Sequence, residues 1–226
     1  MDCYRTSDLK SNINKIGINP LDIMVVGATG SGKSTTLNSF FKEDVAAVGK
    51  GVDPETMSLD SYTLNDHLRL WDTPGLGDGK GNDKKYSKLL LELMFKDYKS
   101  NNKTFGFIDL ILVVVEGSGR DMGTTYKILN EIVVPNFQKE RILVVLNQAD
   151  IAMSGREWCH TSRSPLPKLK KFLDEKVLSI QERVEEATGV KIKKPIYYSA
   201  EYRFNIDKLF DFIIDNMQLQ KRELIL

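Results

Sequence analysis

From Gly27 to Ser34 the chain reads Gly-Ala-Thr-Gly-Ser-Gly-Lys-Ser. This is the G-x-x-x-x-G-K-[ST] spacing of a loop that wraps phosphate in its backbone N–H groups. Such a loop works only where a strand ends and a helix begins, because the inward-pointing amides and the helix dipole together hold the anion. The flanks agree. Leu21-Asp22-Ile23-Met24-Val25-Val26 is a short apolar run of the kind that forms a buried parallel strand, and Thr35 to Phe41 can open a helix. The candidate phosphate-side residues are therefore Gly27, Thr29, Gly30, Ser31, Gly32, Lys33, Ser34 and Thr35. Lys33 would reach the β- and γ-phosphates, and the Ser34 hydroxyl would ligate Mg²⁺.

Around that loop, strand-like and helix-like runs alternate. Strands are expected at 57–64, 67–71, 108–115, 141–146 and 195–198, with Asn65-Asp66 as a hairpin turn between the first two. Helical spacing of apolar residues places Tyr86, Leu89, Leu90, Leu93 and Met94 on one face. It does the same for Met122, Tyr126, Leu129, Ile132 and Val133, which Pro135 should end or nearly end. A long helix carries the stripe Leu166, Leu169, Leu173, Val177, Ile180 and Val184, with Gly189 as its cap. A closing helix carries Ile206, Leu209, Phe210, Ile213, Ile214 and Met217. The alternation implies an α/β fold, a mostly parallel six-stranded sheet with helices on both faces. Residues 1–20 read as a lead-in helix or loop, 21–218 as the domain, and 219–226 as a C-terminal extension. In 226 residues this is one sizeable core.

Charge and cysteine usage narrow the partners. Thirty-two basic against 31 acidic side chains leave +1, so no global field points to nucleic acid or membrane. Cys3, Cys159, His67 and His160 do not make a zinc set, and a reducing, cytoplasmic setting is expected. The longest apolar run, Leu110 to Val115, is too short for a transmembrane segment.

Two further motifs sit at strand ends. Asp72-Thr73-Pro74-Gly75 follows Lys33 by 39 residues. Its Asp72 can hold Mg²⁺, usually through water, and Gly75 has no side chain to obstruct an amide that bonds the γ-phosphate. Asn147-Gln148-Ala149-Asp150 then selects the base. A carboxylate at Asp150 accepts from both N1–H and the 2-amino group of guanine, donors that adenine lacks. Asn147 would brace the phosphate loop or contact guanine N7, and the Ala200 amide, after Ser199, would reach guanine O6.

With these motifs in order, from Leu21 to Met217, the chain resembles the translation-factor-class GTPases of the Era and TrmE-like group. Within it, the chain is similar to the bacterial Era-like, often prophage-borne GTPases described as ribosome-binding, whose guanine motif is also N-Q-A-D and is followed by Arg-Glu-Trp, here Arg156-Glu157-Trp158. The resemblance implies a P-loop NTPase G domain that hydrolyses GTP to GDP with Mg²⁺ and acts on the large ribosomal subunit, RNA or another assembly. It also implies that Thr56 is the first-switch threonine, completing the Mg²⁺ shell and sensing the γ-phosphate, with Ser58 its rival. Lys33, Thr56 and Gly75 would then be the catalytic group.

Three departures from that pattern matter. Gln148 replaces the usual lysine, whose stem packs over the base. Leu76 stands where Ras-like relatives carry a water-orienting glutamine, so intrinsic hydrolysis should be slow and the missing group should come from a partner, a dimer or a loop residue. Gly30 replaces the asparagine of potassium-activated relatives. Arg120, at a strand end, is either a charge stabiliser or an ordinary surface residue. Two other readings stand beside the switch. One is a nucleotide-dependent dimerising or assembly module of the septin or interferon-inducible type, whose loops share the Thr-Gly-Ser-Gly-Lys-Ser wording. The other is an ATP-using phosphotransferase, which Asp150 opposes.

Overall fold

The computed structural model describes residues 5–17, 20–40, 60–65, 67–77, 79–118 and 123–224. Thr56, Ser58, Arg120 and Met122 lie outside them. Strand β1 (Leu21–Gly27) is buried along its whole length and forms the middle of the main sheet, as a strand covered on both faces must. It pairs in parallel with β3 (Leu68–Asp72) on one side and β6 (Leu110–Glu116) on the other, and β6 pairs with β7 (Ile142–Asn147). Strand β2 (Asp60–Asn65) closes the edge antiparallel to β3, the pairing that the hairpin reading expects; Asp66 of the expected turn lies outside the described residues.

The sheet has five strands in the order β2-β3-β1-β6-β7, four of them parallel, where six were expected. The stretch read as the sixth, 195–198, is reduced to a bridge. Leu146 N–H donates to Ile196 O and Tyr198 N–H to Leu146 O, both at 2.9 Å, and Ala149 N–H then takes Tyr198 O at 3.1 Å. The turn after Asn147 ends the pairing at one end.

Helices cover both faces. On one side lie α3 (Lys80–Phe95), the segment from α4 (Gly123–Lys127) to α5 (Val134–Asn136), and α6 (Pro167–Thr188). On the other lie α1 (Thr6–Ile16), α2 (Lys33–Phe40) and α7 (Ile206–Asn216). The lead-in is helical, and its Leu9 and Ile13 reach the core. The expected apolar stripes face the core, with Tyr86, Leu89 and Tyr126 half-buried. Leu166 caps α6 and is largely exposed, whereas Leu169 to Val184 face inward. Gly189 ends α6 with φ near 67°, its N–H on Glu185 O. The helical segment ends at Asn136, one residue past Pro135. A wider π-helical stretch, Ile128–Val133, precedes it, and the chain makes one more turn to Asn136. A proline without an N–H is tolerated in the first turn of this last segment.

One hairpin was not anticipated: β4 (Asp97–Ser100) and β5 (Lys103–Gly106), joined by Asn101 and Asn102 at φ 51° and 60°. The C-terminal segment crosses to it. Gly106 N–H donates to Arg222 O and Leu224 N–H to Thr104 O, making an antiparallel bridge beside β5.

Beneath this, at the end of the sheet away from the motif loops, sits a buried ionic floor. Asp22 Oδ1 accepts from Arg69 Nε and Trp71 Nε1, both at 2.6 Å. Its backbone N–H donates to Asp109 Oδ2 at 3.0 Å. Arg141 bonds Asp109 O and Gln220 O, and Arg222, 2% exposed, bonds Ile108 O and Met94 O. Burial pushes the Asp109 carboxyl up to about 7, although the Asp22 amide and the arginines pull it down.

The sign of the pH dependence follows. Folded Asp109 keeps a proton that the unfolded chain, with its ordinary value near 3.8, has already released. The stabilisation is complete below about pH 4 and is lost as pH rises towards 7. Urea unfolding at pH 5 and pH 8 should therefore show a loss on the order of 2 kcal/mol that Asp109→Asn abolishes. Identical pH profiles for the two proteins would contradict this reading of the floor.

Candidate functional site

At the opposite end, the carboxyl ends of β1, β3 and β7 bring the three motifs together. The phosphate loop leaves β1 at Gly27, where a Cβ would lie 2.5 Å from Val114 O of β6. Gly30 and Gly32 take φ near 80° and 83°, which glycine adopts without strain. Lys33 opens α2, is 7% exposed, and donates from Nζ to Gly27 O at 3.2 Å and Ala28 O at 3.1 Å. Its ammonium is thus held over the turn. Ser34 Oγ donates to Asp72 Oδ2 at 2.6 Å, so hydroxyl and carboxylate, 38 residues apart, are adjacent.

The Asp72 segment is zipped to the loop. Thr73 Oγ1 donates to Val25 O at 2.6 Å, and Thr29 N–H donates to Leu76 O at 2.8 Å. Gly75 lies against Thr29 so closely that a Cβ would come within 2.6 Å of Thr29 Cα. Leu76, 1% exposed, belongs to the core under α3 and α4.

On the other flank Asn147, 2% exposed, donates from Nδ2 to Ser31 O at 3.1 Å and Gly32 O at 3.4 Å. Its Oδ1 accepts the Ala200 N–H at 3.1 Å. The bracing role expected of Asn147 is therefore in place, and the amide expected to meet guanine O6 is engaged by Asn147. Gln148 sits at φ near 60° and donates from Nε2 to Gly30 O at 2.8 Å. It folds over the loop where a base-stacking stem was the family expectation. Asp150 is 8% exposed, and its Oδ1 has no hydrogen-bond partner. Gly32, Thr35, Asn147, Gln148, Asp150 and Ala200 wall a cavity of about 200 Å³, with Ile151 and Glu201. Ser199 is fully buried and stands behind the wall, its Oγ accepting from Tyr202 N–H at 3.2 Å. Thr56 lies outside the described residues.

Several supports escaped the sequence reading. Thr36 Oγ1 donates to Gly32 O at 2.7 Å and meets the buried Tyr198 hydroxyl at 2.8 Å, tying α2 to the bridge strand. Burial pushes the Tyr198 phenol up. At Gly117 a Cβ would stand 2.4 Å from Gln148 O, so only glycine lets β6 close on the base motif. The glycines read as a strand stop at 117–119 carry that signal. Trp158 packs on Tyr202 and Phe204, at ring centroid distances of 5.4 and 5.5 Å, beneath the 199–204 loop.

The arrangement suits a nucleoside phosphate. A buried, unpartnered acceptor at Asp150 Oδ1, an unpartnered hydroxyl at Ser31 that can donate, and glycine backbone that side chains would obstruct together fit a base at one end and an anion at the other. Ser34 and Asp72 supply the oxygen donors that Mg²⁺ prefers.

Fold and site define the P-loop G-domain class. The family model described as 50S ribosome-binding GTPase matches residues 22–148, more than half of the chain, and the chain belongs to this family. GTPase Der of Rickettsia akari (strain Hartford) is 22% identical over 193 residues, covering 84% of this chain and 38% of that protein. The chain thus spans less than half the length of this curated relative. Septin-12 of Rattus norvegicus is 40% identical over 80 residues, 30% of this chain and 22% of the septin. Toc33 from Arabidopsis thaliana, solved with Mg²⁺ and GMPPNP, superposes with a TM-score of 0.64 at 17% identity, over 100% of this chain and 97% of its own. Among the described residues no helix is long and apolar enough to cross a membrane.

Leu76 generates a direct test. Glutamine there would place an amide in the core in place of reaching the phosphate end. Leu76→Gln should cost about 2–4 kcal/mol and lower the melting temperature by several degrees. A melt equal to the parent's would show that position 76 is not buried in solution.

Proposed function

We propose that this chain is a guanine-nucleotide switch that binds GTP with Mg²⁺ at the phosphate loop and hydrolyses it to GDP. The observation that carries this reading is the buried Asp150 carboxylate with an unpartnered oxygen, in a cavity that also borders Gly32 and Thr35. The base edge of guanine offers two donors to one carboxylate, while that of adenine offers none there. On this reading Lys33 moves from the loop carbonyls to the β- and γ-phosphates, and Ser34 and Asp72 hold the metal. When bound, Mg²⁺ neutralises charge developing on the phosphate oxygens. Gly75, pressed on Thr29, keeps its backbone open to the γ-phosphate. Thr56 is assigned the sensor role by resemblance.

Hydrolysis by the chain alone is slow in this proposal, because Leu76 is in the core and leaves no water-orienting amide behind Gly75. The missing group comes from a partner. The Era-like subtype rests on the resemblance carried by the Arg156-Glu157-Trp158 segment, and the family description supports the large subunit or RNA as effector, here in the cytoplasm. A second reading, nucleotide-dependent dimerisation, draws on the likeness to a septin and to Toc33, of which a dimerisation-deficient mutant has been solved. Sedimentation with GDP and with GMPPNP separates the two. Competition of labelled GTP by ATP tests the phosphotransferase alternative.

Asp150→Asn is the decisive variant. Its amide faces the 2-amino group donor to donor, at about 1–3 kcal/mol per unmade bond, so GTP affinity should fall roughly tenfold to a hundredfold. Xanthine, with a carbonyl at that position, accepts from the new amide, so the variant should prefer XTP while the parent prefers GTP. Titration with fluorescent GDP, displaced by each triphosphate, reads both. Unchanged GTP affinity would refute the base-reading role.

Lys33→Ala should remove triphosphate binding in calorimetry without lowering the melting temperature, since its ammonium is held over the loop by the carbonyls of Gly27 and Ala28. Ser34→Asn should weaken GTP more than GDP. Affinities equal to the parent's would count against the metal role.

A further inference from the structure

The turn that carries Asp150 separates two cavities. Asp150 and Ile151 wall the base cavity, and the next residues, Ala152 and Met153, wall a second one of about 500 Å³ over α6. That volume lies in the range of small-molecule sites. The nucleotide reading makes no use of it.

Its lining is cationic on an apolar base. Arg156, Lys176 and Arg183 face one carboxylate, Glu175, a balance of +2, while Met153 and Phe172 supply apolar surface. The cations are held in place. Lys176 Nζ bonds Gly117 O and sits 5.8 Å from the Phe172 ring centroid, Arg156 Nε bonds Met153 O at 3.2 Å, and Arg183 lies beside the Tyr126 hydroxyl. Each guanidinium has five N–H donors, so one such bond positions it without exhausting it. Burial pushes the Lys176 ammonium down, against the pull of Glu116, and a nearby anion would offset that desolvation. Inorganic phosphate alone would leave the Met153 and Phe172 surface uncovered. A neutral apolar molecule would leave the charges unmatched.

We propose that this cavity binds a small organic anion with an aromatic or other apolar body. The site is independent of the guanine reading, and its test does not need nucleotide. The probe is 1-anilinonaphthalene-8-sulfonate, titrated by fluorescence into the full chain, with uncharged N-phenyl-1-naphthylamine as its neutral counterpart. Saturable one-to-one binding is expected, weakened roughly tenfold by Arg156→Glu and by Arg183→Glu, with the neutral compound at least about tenfold weaker. Both arginines are exposed, so the variants should melt with the parent; if one does not, the other is read. Non-saturating binding, indifference to both charge reversals, or equal affinity for the neutral compound would overturn the proposal. So would displacement of the probe by GDP without any effect of the reversals, because that places it in the base cavity.

Discussion

The side chain of Asn147 is the interaction on which the site depends. Its amide nitrogen reaches Ser31 O and Gly32 O in the phosphate loop, and its oxygen takes the Ala200 amide. One buried residue at the end of β7 therefore joins three stretches that are far apart in sequence. A shorter side chain would not span the gap. Gly32 shows how little room remains, since a Cβ there would stand 2.3 Å from the same nitrogen. The strands fix the height of each segment, and this amide fixes their separation.

The motif loops were legible because their chemistry is written in residues with few other uses: glycines at positive φ, a lysine at a helix start, a carboxylate after a strand. The apolar stripes of α6 and α7 were legible for the same kind of reason, since helical spacing leaves one consistent face. What the pattern could not show was where polar residues are buried. Nothing in the spacing of Asp22, Asp109, Arg141 and Arg222 assigns them partners, yet all lie inside the floor, each engaged with backbone or with another charge. Nothing local in Gln220 or Arg222 announces that the C-terminal segment crosses the sheet to β5.

Other misses have particular causes. The Asn101-Asn102 pair is a hairpin turn signal, but the strands around it are only four residues each and mostly exposed, so no apolar alternation marks them. Residues 195–198 have the composition of a strand, while strand length is decided by how many backbone groups find partners, and here Leu146 makes two of the bonds and Ala149 a third. Leu76 follows a motif loop and reads as part of it, although its carbonyl serves the loop and its side chain serves the core.

Gln148 has a consequence of another kind. A lysine at this position would grip the loop carbonyl with a full charge, a contact that added salt weakens. Here two neutral groups, an amide N–H and the Gly30 carbonyl, make the same span. Ionic strength has little purchase on such a bond. The clasp over the base end therefore holds alike in dilute and in concentrated electrolyte, and any salt sensitivity of the pocket belongs to its phosphate end.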